Sequence, residues 1–357
     1  MKPPAWETLL EKVLDGQALT RPEAVQLYRE ADLWSLGKTA DLLRRRICDP
    51  SVVTFLIDRC INYTNVCNVR CKFCAFATGA GDPNAYVITP DAAVKKVDEA
   101  AAFGATQILL QGGHHPVLKL DYYLTLLSAI KRKHPDITLH AFSPPELIHF
   151  SKIFRMDVRD LLMKFREAGM DSMPGGGAEI LSDRARILTS PGKATTSEWL
   201  GVMRTLHGLG MKSTATMMFG HVETLEERVE HIFLIRELQE ETKGFLGFIP
   251  WLYQPGHEVL GLPAAGGQTY LRTLALCRIV LSDVLPNLQA SWVTPGQKVG
   301  QLGLAFGAND FGSIMLEENV VAATGLHYDM DLDEMKRLIR GMGYEPRQRT
   351  TTYQYIQ

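Results

Sequence analysis

Ser213-Thr-Ala-Thr-Met-Met218, Gly220-His221, and then Leu225, Val229, Ile232 and Phe233 spell out one strand–turn–helix unit. A β-rich run is followed by a glycine turn. The apolar residues after it fall at i, i+4, i+7 and i+8, which is one face of a helix. The run is entered through Leu209-Gly210, a glycine stop for the preceding helix. Phe103-Gly104 and Ala168-Gly169 repeat that signal elsewhere. Working outward, strands are predicted at Arg59–Thr64, Gln107–Gln111, Ile137–Phe142, Asp171–Pro174, Ser213–Met218, Phe245–Pro250, Leu288–Trp292 and Leu304–Ala308. Strand and helix alternating at intervals of roughly 30–40 residues imply a parallel sheet. Eight such units imply α/β architecture closed into a (β/α)8 barrel, expected over residues 51–315.

Residues 1–50 read as an N-terminal helical extension. Leu9, Leu10, Val13 and Leu14 share a stripe, Arg21-Pro22-Glu23 marks a helix start, and Asp49-Pro50 breaks the pattern. Residues 316–357 are expected to be a C-terminal helical extension closing the barrel, with Arg347–Tyr353 returning to its mouth as a plug. A chain of 357 residues is normal for a barrel with additions. A formal net charge of −2 offers no field for nucleic acid or an anionic membrane. The run Arg44-Arg45-Arg46 reads as a solvated helix end. No stretch approaches the roughly 18 apolar residues of a membrane span, and the N-terminus lacks a signal-peptide core. The expectation is a cytoplasmic protein.

In a reducing compartment, tightly spaced cysteines point to metal or catalysis. Cys67-Asn-Val-Arg-Cys71-Lys-Phe73-Cys74 follows the first predicted strand. Three thiolates at this spacing can wrap an iron–sulfur cubane and leave one iron open. That suits chemistry at iron better than simple electron carriage, where four cysteines are usual. A structural zinc knot is the other reading. It wants a fourth ligand, for which Cys60 is the neighbour, though Cys60 is expected on strand one and packed away. Cys48 and Cys277 read as buried thiols. Further loops at predicted strand ends carry Gln111-Gly112-Gly113-His114-His115, Ser143-Pro-Pro-Glu146, Gly175-Gly-Gly-Ala-Glu179, Gly220-His221, Pro250-Trp251 and Asn309-Asp310. Barrel active sites lie at such ends. His114 and His115 are not a shared metal site, because adjacent extended residues point opposite ways.

With its aromatic before the last cysteine, the motif resembles the radical S-adenosylmethionine (SAM) superfamily. The resemblance implies a 4Fe–4S cluster on Cys67, Cys71 and Cys74 and SAM as cofactor. It places Phe73 against the adenine and Gln111, Gly112 and Gly113 at the SAM amino group, with Ser143 among the SAM contacts. Glu179 takes the ribose hydroxyls. Where the family usually has a glutamate or a similar polar residue after the glycines, this chain has His114. Longer segments, including Asn62–Cys67, Gln111–Pro116, Gly175–Leu181, Pro250–Glu258, Gln289–Gly296 and Gly307–Asp310, resemble one branch. It holds the two radical SAM enzymes of the futalosine route to menaquinone and the deazaflavin (F420) synthases. The likeness is greatest to the futalosine enzyme that closes a ring on dehypoxanthine futalosine.

That resemblance implies an oxidoreductase whose 5′-deoxyadenosyl radical takes the ribose 4′ hydrogen of a small-molecule substrate. It also implies an electron donor such as flavodoxin or ferredoxin. Asp310 and His114 are the candidate bases. Glu146, His221, Tyr253 and Arg278 are the candidate substrate ligands. The alternatives are the sister aminofutalosine synthase, a deazaflavin synthase, or a non-catalytic iron–sulfur or zinc protein. The glycine-rich loops argue against the last, since a structural site needs no SAM cradle.

Overall fold

The computed structural model describes residues 4–255, 260–327 and 329–356. Its strands, in chain order, are β1 (Val52–Leu56), β2 (Asp58–Asn62), β3 (Gln107–Gln111), β4 (Thr138–Ala141), β5 (Ser172–Met173), β6 (Lys212–Phe219), β7 (Phe245–Leu252), β8 (Asp310–Ser313) and β9 (Glu345–Gln348). β2 through β7 make one six-stranded parallel sheet in sequence order; β8, β1 and β9 make a second. Two links join these into one wall. Only Ile57 separates β1 from β2. Across the opposite seam, Leu288 bridges Phe248 of β7 and Gln289 bridges Asp310 of β8, both in parallel sense. Following the pairings round returns to β1, so the sheet curls into a barrel of eight parallel staves.

The helices start and stop as their sequences dictate. Thr20 with Glu23, Thr195 with Glu198 and Thr224 with Glu227 each form a capping box, satisfying amide donors at a helix start. Gly104, Gly169 and Gly210 take the left-handed conformation just before β3, β5 and β6, which lets helix turn into strand. The core lies between the helices and the strands' outer faces, with Trp199, Phe142, Phe150 and Phe165 fully buried.

Four expectations are corrected. The last strand is β8, not Leu304–Ala308. Residues 304–306 instead continue the helix Gln297–Gly303 as turns, with the Leu304, Ala305 and Phe306 amides bonded three residues back. The seventh stave is a pair of single bridges rather than a strand over Leu288–Trp292. The C-terminal extension has one α-helix, Leu332–Gly341, among its described residues, and ends in β9 and a turn rather than in helix. β9 pairs with β1 from Val52↔Glu345 to Phe55↔Gln348, which carries the tail to the amino end of the barrel. Within the basic run, Arg44 is fully buried, donates to the Val52 carbonyl at 2.6 Å and stacks on Tyr344, so it is not a solvated end.

The chain opens on three helices, Ala5–Leu14, Arg21–Glu30 and Leu33–Ile47. They pack on the barrel's outer helices, with Arg21 paired to Glu230 at 2.5 Å. No helix among the described residues is long and apolar enough to cross a membrane.

Candidate active site

Cys67, Cys71 and Cys74 lie on the loop leaving β2, each half-buried and free. The loop is shaped by its own backbone. The Cys74 amide donates to the Cys71 carbonyl and the Cys67 amide to Thr78, both at 3.0 Å, while Arg70 takes a left-handed turn. Burial pushes the Cys74 thiol up, and the neighbouring Cys71 and Cys67 push it further. Among the described residues no three such side chains are yet drawn together closely enough to grip a metal. Cys60 stays on β2, buried and facing the lumen rather than this loop.

The loop after β3 is sewn to the cysteine loop. Gly113 donates to Thr64 at 2.9 Å, and Asn68 donates to the His114 carbonyl at 3.2 Å. A side chain at either glycine has no room. A Cβ on Gly112 would lie 2.6 Å from the Tyr63 ring, and one on Gly113 would lie 2.2 Å from the Val66 carbonyl. A Cβ on Gly176 would meet Gln111 Nε2 at 2.5 Å, so the glycine loops after β3 and β5 also touch. The residues fit the cluster and SAM in kind: three free thiols share one loop, and bare backbone lies beside them.

Glu179 follows the second glycine loop, in a left-handed backbone conformation and buried. Lys193 Nζ donates to its Oε1 at 2.6 Å. Burial alone would push this carboxyl up. The charge and hydrogen bond of Lys193, with Arg186 behind, win and hold it below the usual range. Burial would likewise push Lys193 down, but Cys71 and Glu179 outweigh it and raise it. Its ammonium also lies 5.7 Å from the centroid of the Phe73 ring. Lys193 thus ties the cysteine loop to the ribose candidate, and sequence reasoning missed it. It stands in a Ser190-Pro-Gly turn with no motif around it. Arg186, also missed, braces the glycine loop through the carbonyls of Gly177 and Ala178.

The other expected ligands divide. Gln111 reaches the lumen, while Ser143 spends its hydroxyl on Glu146 Oε2 at 2.5 Å. Glu146 is a buried strut. Tyr63 donates to it at 2.5 Å and the Gly112 amide at 3.2 Å. Burial outweighs these donors and pushes its carboxyl up to about 7. His114 stacks on His149 with centroids 4.9 Å apart, and burial, with His149 next, pushes it down to about 3. It is held neutral, away from the lumen lining. His221 lies beside Tyr253, with its Nε2 3.1 Å from the Met218 carbonyl, and Tyr253 keeps a buried hydroxyl without a partner among the described residues.

Two assignments fail on geometry. Arg278 does not point inward: its three donor groups go to the Gly307 and Pro286 carbonyls and Asn309 Oδ1, bracing a turn. Asp310 opens β8 rather than following it, so it sits at the amino end of the barrel. Arg349 grips both its oxygens at 2.5 and 3.0 Å, and Thr54 donates to one at 2.6 Å. A carboxylate so engaged is no free base. Of the Pro250–Glu258 pattern, Gly256–Glu258 lie outside the described residues.

Beneath the glycine loops the lumen holds a cavity of about 290 Å³. Gln111 and Gly176 stand at its upper wall, His140, Thr214 and Thr216 in the middle, and Arg349 and Thr351 at the bottom. His140 is neutral, pushed down to about 3 by burial.

Comparison with known proteins agrees with this geometry. A model described as the radical SAM superfamily matches residues 61–235, and one described as the CofH/MqnC C-terminal region matches 242–357. The chain is 41% identical over 351 residues to a protein of Halalkalibacterium halodurans named cyclic dehypoxanthine futalosine synthase, covering 98% of this chain and 94% of that one. A Streptomyces coelicolor protein of the same name is 41% identical, with 98% and 88% covered. A Methanosarcina acetivorans protein named 5-amino-6-(D-ribitylamino)uracil–L-tyrosine 4-hydroxyphenyl transferase 1 is 38% identical, with 98% and 94% covered. Among solved structures, methylornithine synthase superposes with a TM-score of 0.70 at 19% identity, covering 95% of this chain and 97% of that one. The FeFe-hydrogenase maturase of Carboxydothermus hydrogenoformans gives 0.76 at 15%, covering 98% and 80%. These two likenesses speak for the fold alone. The cysteine loop, the glycine cradles and the full-length relatives together place this chain in the radical SAM superfamily, as an enzyme of the branch that carries the CofH/MqnC C-terminal region.

Proposed function

We propose that this enzyme cyclises dehypoxanthine futalosine. The observation that carries the reading is the cavity whose upper wall includes Gln111 and Gly176, directly under the loops suited to SAM. The two 41% identical relatives bearing that activity in their names support it over the transferases at 36–39%. Cys67, Cys71 and Cys74 would hold the cluster. Gly112 and Gly113 would present backbone to SAM, and Glu179 its carboxylate to the ribose. Together the two groups supply a 5′-deoxyadenosyl radical when bound.

The chain's own part is confinement. The barrel wall encloses the substrate and excludes water, and the strand-end loops aim the 4′ hydrogen at the radical. The substrate radical left behind attacks its own aromatic ring. Loss of one electron and one proton restores aromaticity, and the electron lost equals the one spent in starting the cycle. With Asp310 gripped by Arg349 and His114 off the lumen, the imidazole in the chamber lining is the neutral His140, whose Nδ1 lies 2.7 Å from Ser172 Oγ and whose Nε2 lies 3.3 Å from Thr214 Oγ1. An electron donor such as flavodoxin or ferredoxin would serve the reduction.

Deuterium at the substrate 4′ carbon tests this reading. It should pass into 5′-deoxyadenosine during anaerobic turnover, read by mass spectrometry. Covalent attachment of the adenosyl group to an enol ether would instead establish the aminofutalosine synthase reaction. Turnover of tyrosine with the diaminouracil would establish the transferase named for the archaeal relatives.

A further inference from the structure

The last residues of the chain run under the barrel. After β9, the Arg349 amide donates to Phe55, and the tail folds back on itself through Thr350 to Gln354 and Ile356 to Gln348. This hairpin corks the amino-end mouth. Arg349, Thr351 and Tyr353 all line the lumen cavity. Thr351 donates to Gln107 Oε1 at 2.8 Å, and Gln107 donates in turn to Asp58 Oδ2 at 3.1 Å. Arg349 holds Asp310 and lies 3.9 Å from the centroid of the Tyr353 ring. The fit leaves no slack: a Cβ on Gly247 of β7 would lie 2.5 Å from the Tyr353 hydroxyl.

We propose that this hairpin is the floor of the substrate chamber, and that Thr351 with Gln107 recognises a neutral, hydroxyl-bearing part of the substrate rather than its carboxylate. The inference rests on the lumen being the substrate chamber. Charge supports the assignment. Arg349 is the lone cation in the cavity lining among the described residues, and Asp310 already neutralises it bidentately. The acidic side chains there are Asp58 and Glu318. A buried carboxylate entering this floor would find no free positive partner, which is costly. A hydroxyl could donate to Thr351 Oγ1, whose own proton goes to Gln107, or accept the second Gln107 amide hydrogen, the first being given to Asp58. The tail is therefore a specificity element: it sets the depth of the chamber and the polarity at its base.

The test compares Thr351→Val, Gly247→Ala and Gly247→Ala/Tyr353→Phe with wild type in the full-length, cluster-loaded protein. Iron content, SAM affinity and proteolysis near the C-terminus are followed beside the dissociation constant for dehypoxanthine futalosine. Thr351→Val should weaken substrate binding roughly tenfold, as expected when a buried polar group loses its partner, with SAM affinity unchanged. Gly247→Ala should expose the tail to protease and weaken substrate in the same way. Tyr353→Phe should restore both, because removing the hydroxyl makes room. Esterifying the substrate carboxylate should cost wild type and Thr351→Val the same factor. Unchanged substrate affinity in Thr351→Val, or in a Gly247→Ala variant whose tail is cleaved, overturns the floor. A non-additive ester effect overturns its polarity. If wild type ignores dehypoxanthine futalosine, the proposed function fails instead, and the same variants are scored on whichever sister substrate wild type accepts.

Discussion

At the carboxyl end of the strands, Cys67, Cys71 and Cys74 are half-buried and unpaired, on a loop held by a few backbone hydrogen bonds. At the amino end, Asp310, Arg349, Thr54, Gln107 and Asp58 are all buried and matched partner to partner. The first region has its valences ready for groups that arrive later. The second has spent its charges within the chain. Residues at the upper end should therefore govern loading and chemistry with little effect on folding, and the charged pair at the lower end should do the reverse, with the neutral Thr351 and Gln107 beside it left to meet substrate.

The largest effect expected is at the upper end. Cys71→Ala should abolish cluster loading and 5′-deoxyadenosine formation while leaving the thermal midpoint nearly unchanged. Iron analysis and calorimetry on one preparation check both halves. A Cys71→Ala protein that still cleaves SAM would break the comparison at its first term.

Next comes the lower end. Arg349→Met removes the one cationic partner of the buried Asp310 and leaves it only the Thr54 and Gly312 donors, a loss of about 3–5 kcal/mol in unfolding free energy. Urea denaturation reads it. Adding Asp310→Leu should recover most of the loss, because two apolar side chains need no pairing. A single variant as stable as wild type would mean that the lower end is not held by this pair.

The smallest effect sharpens the boundary between the regions. Glu146 lies behind the upper glycine loop yet is buried and bonded like a lower-end residue. Its folded pKa, about 7, stands above the ordinary carboxyl value. Its contribution to stability is thus full below the ordinary value and is lost as pH rises through about 7. Between about pH 5 and 7.5 wild type should lose on the order of 2 kcal/mol through this group, and Glu146→Gln should not. Parallel pH profiles for the two proteins would show that Glu146 does not titrate in this window.

The features readable from the sequence share one property: each is local. The cysteine spacing, the glycine loops and the helix caps depend on neighbours within a few residues, so Cys67, Gly112, Gly113 and Thr224 were legible directly. The seams of the barrel were not. Leu304–Ala308 is apolar enough for a strand, but i to i+3 bonds keep it turning, and Gly307 ends it in a left-handed conformation. That slip moved Asp310 from one end of the barrel to the other and made an ion-paired strut look like a base. Arg278 failed for a related reason: a helical arginine can face in or out, and three nearby acceptors decided it.

By itself, then, the sequence determined the class of fold, the cluster loop and the backbone cradles beside it, because periodicity, spacing and the want of a Cβ act over short range. Long-range packing was needed to bring Lys193 to Glu179, to make Glu146 a strut rather than a ligand, and to set Arg349, Thr351 and Tyr353 into the cavity lining. Each of those depends on a pairing across 14, 34 or more than 240 residues of chain. Such pairings are set by which buried charge or donor finds its partner once the barrel has closed, and no short-range pattern encodes that choice.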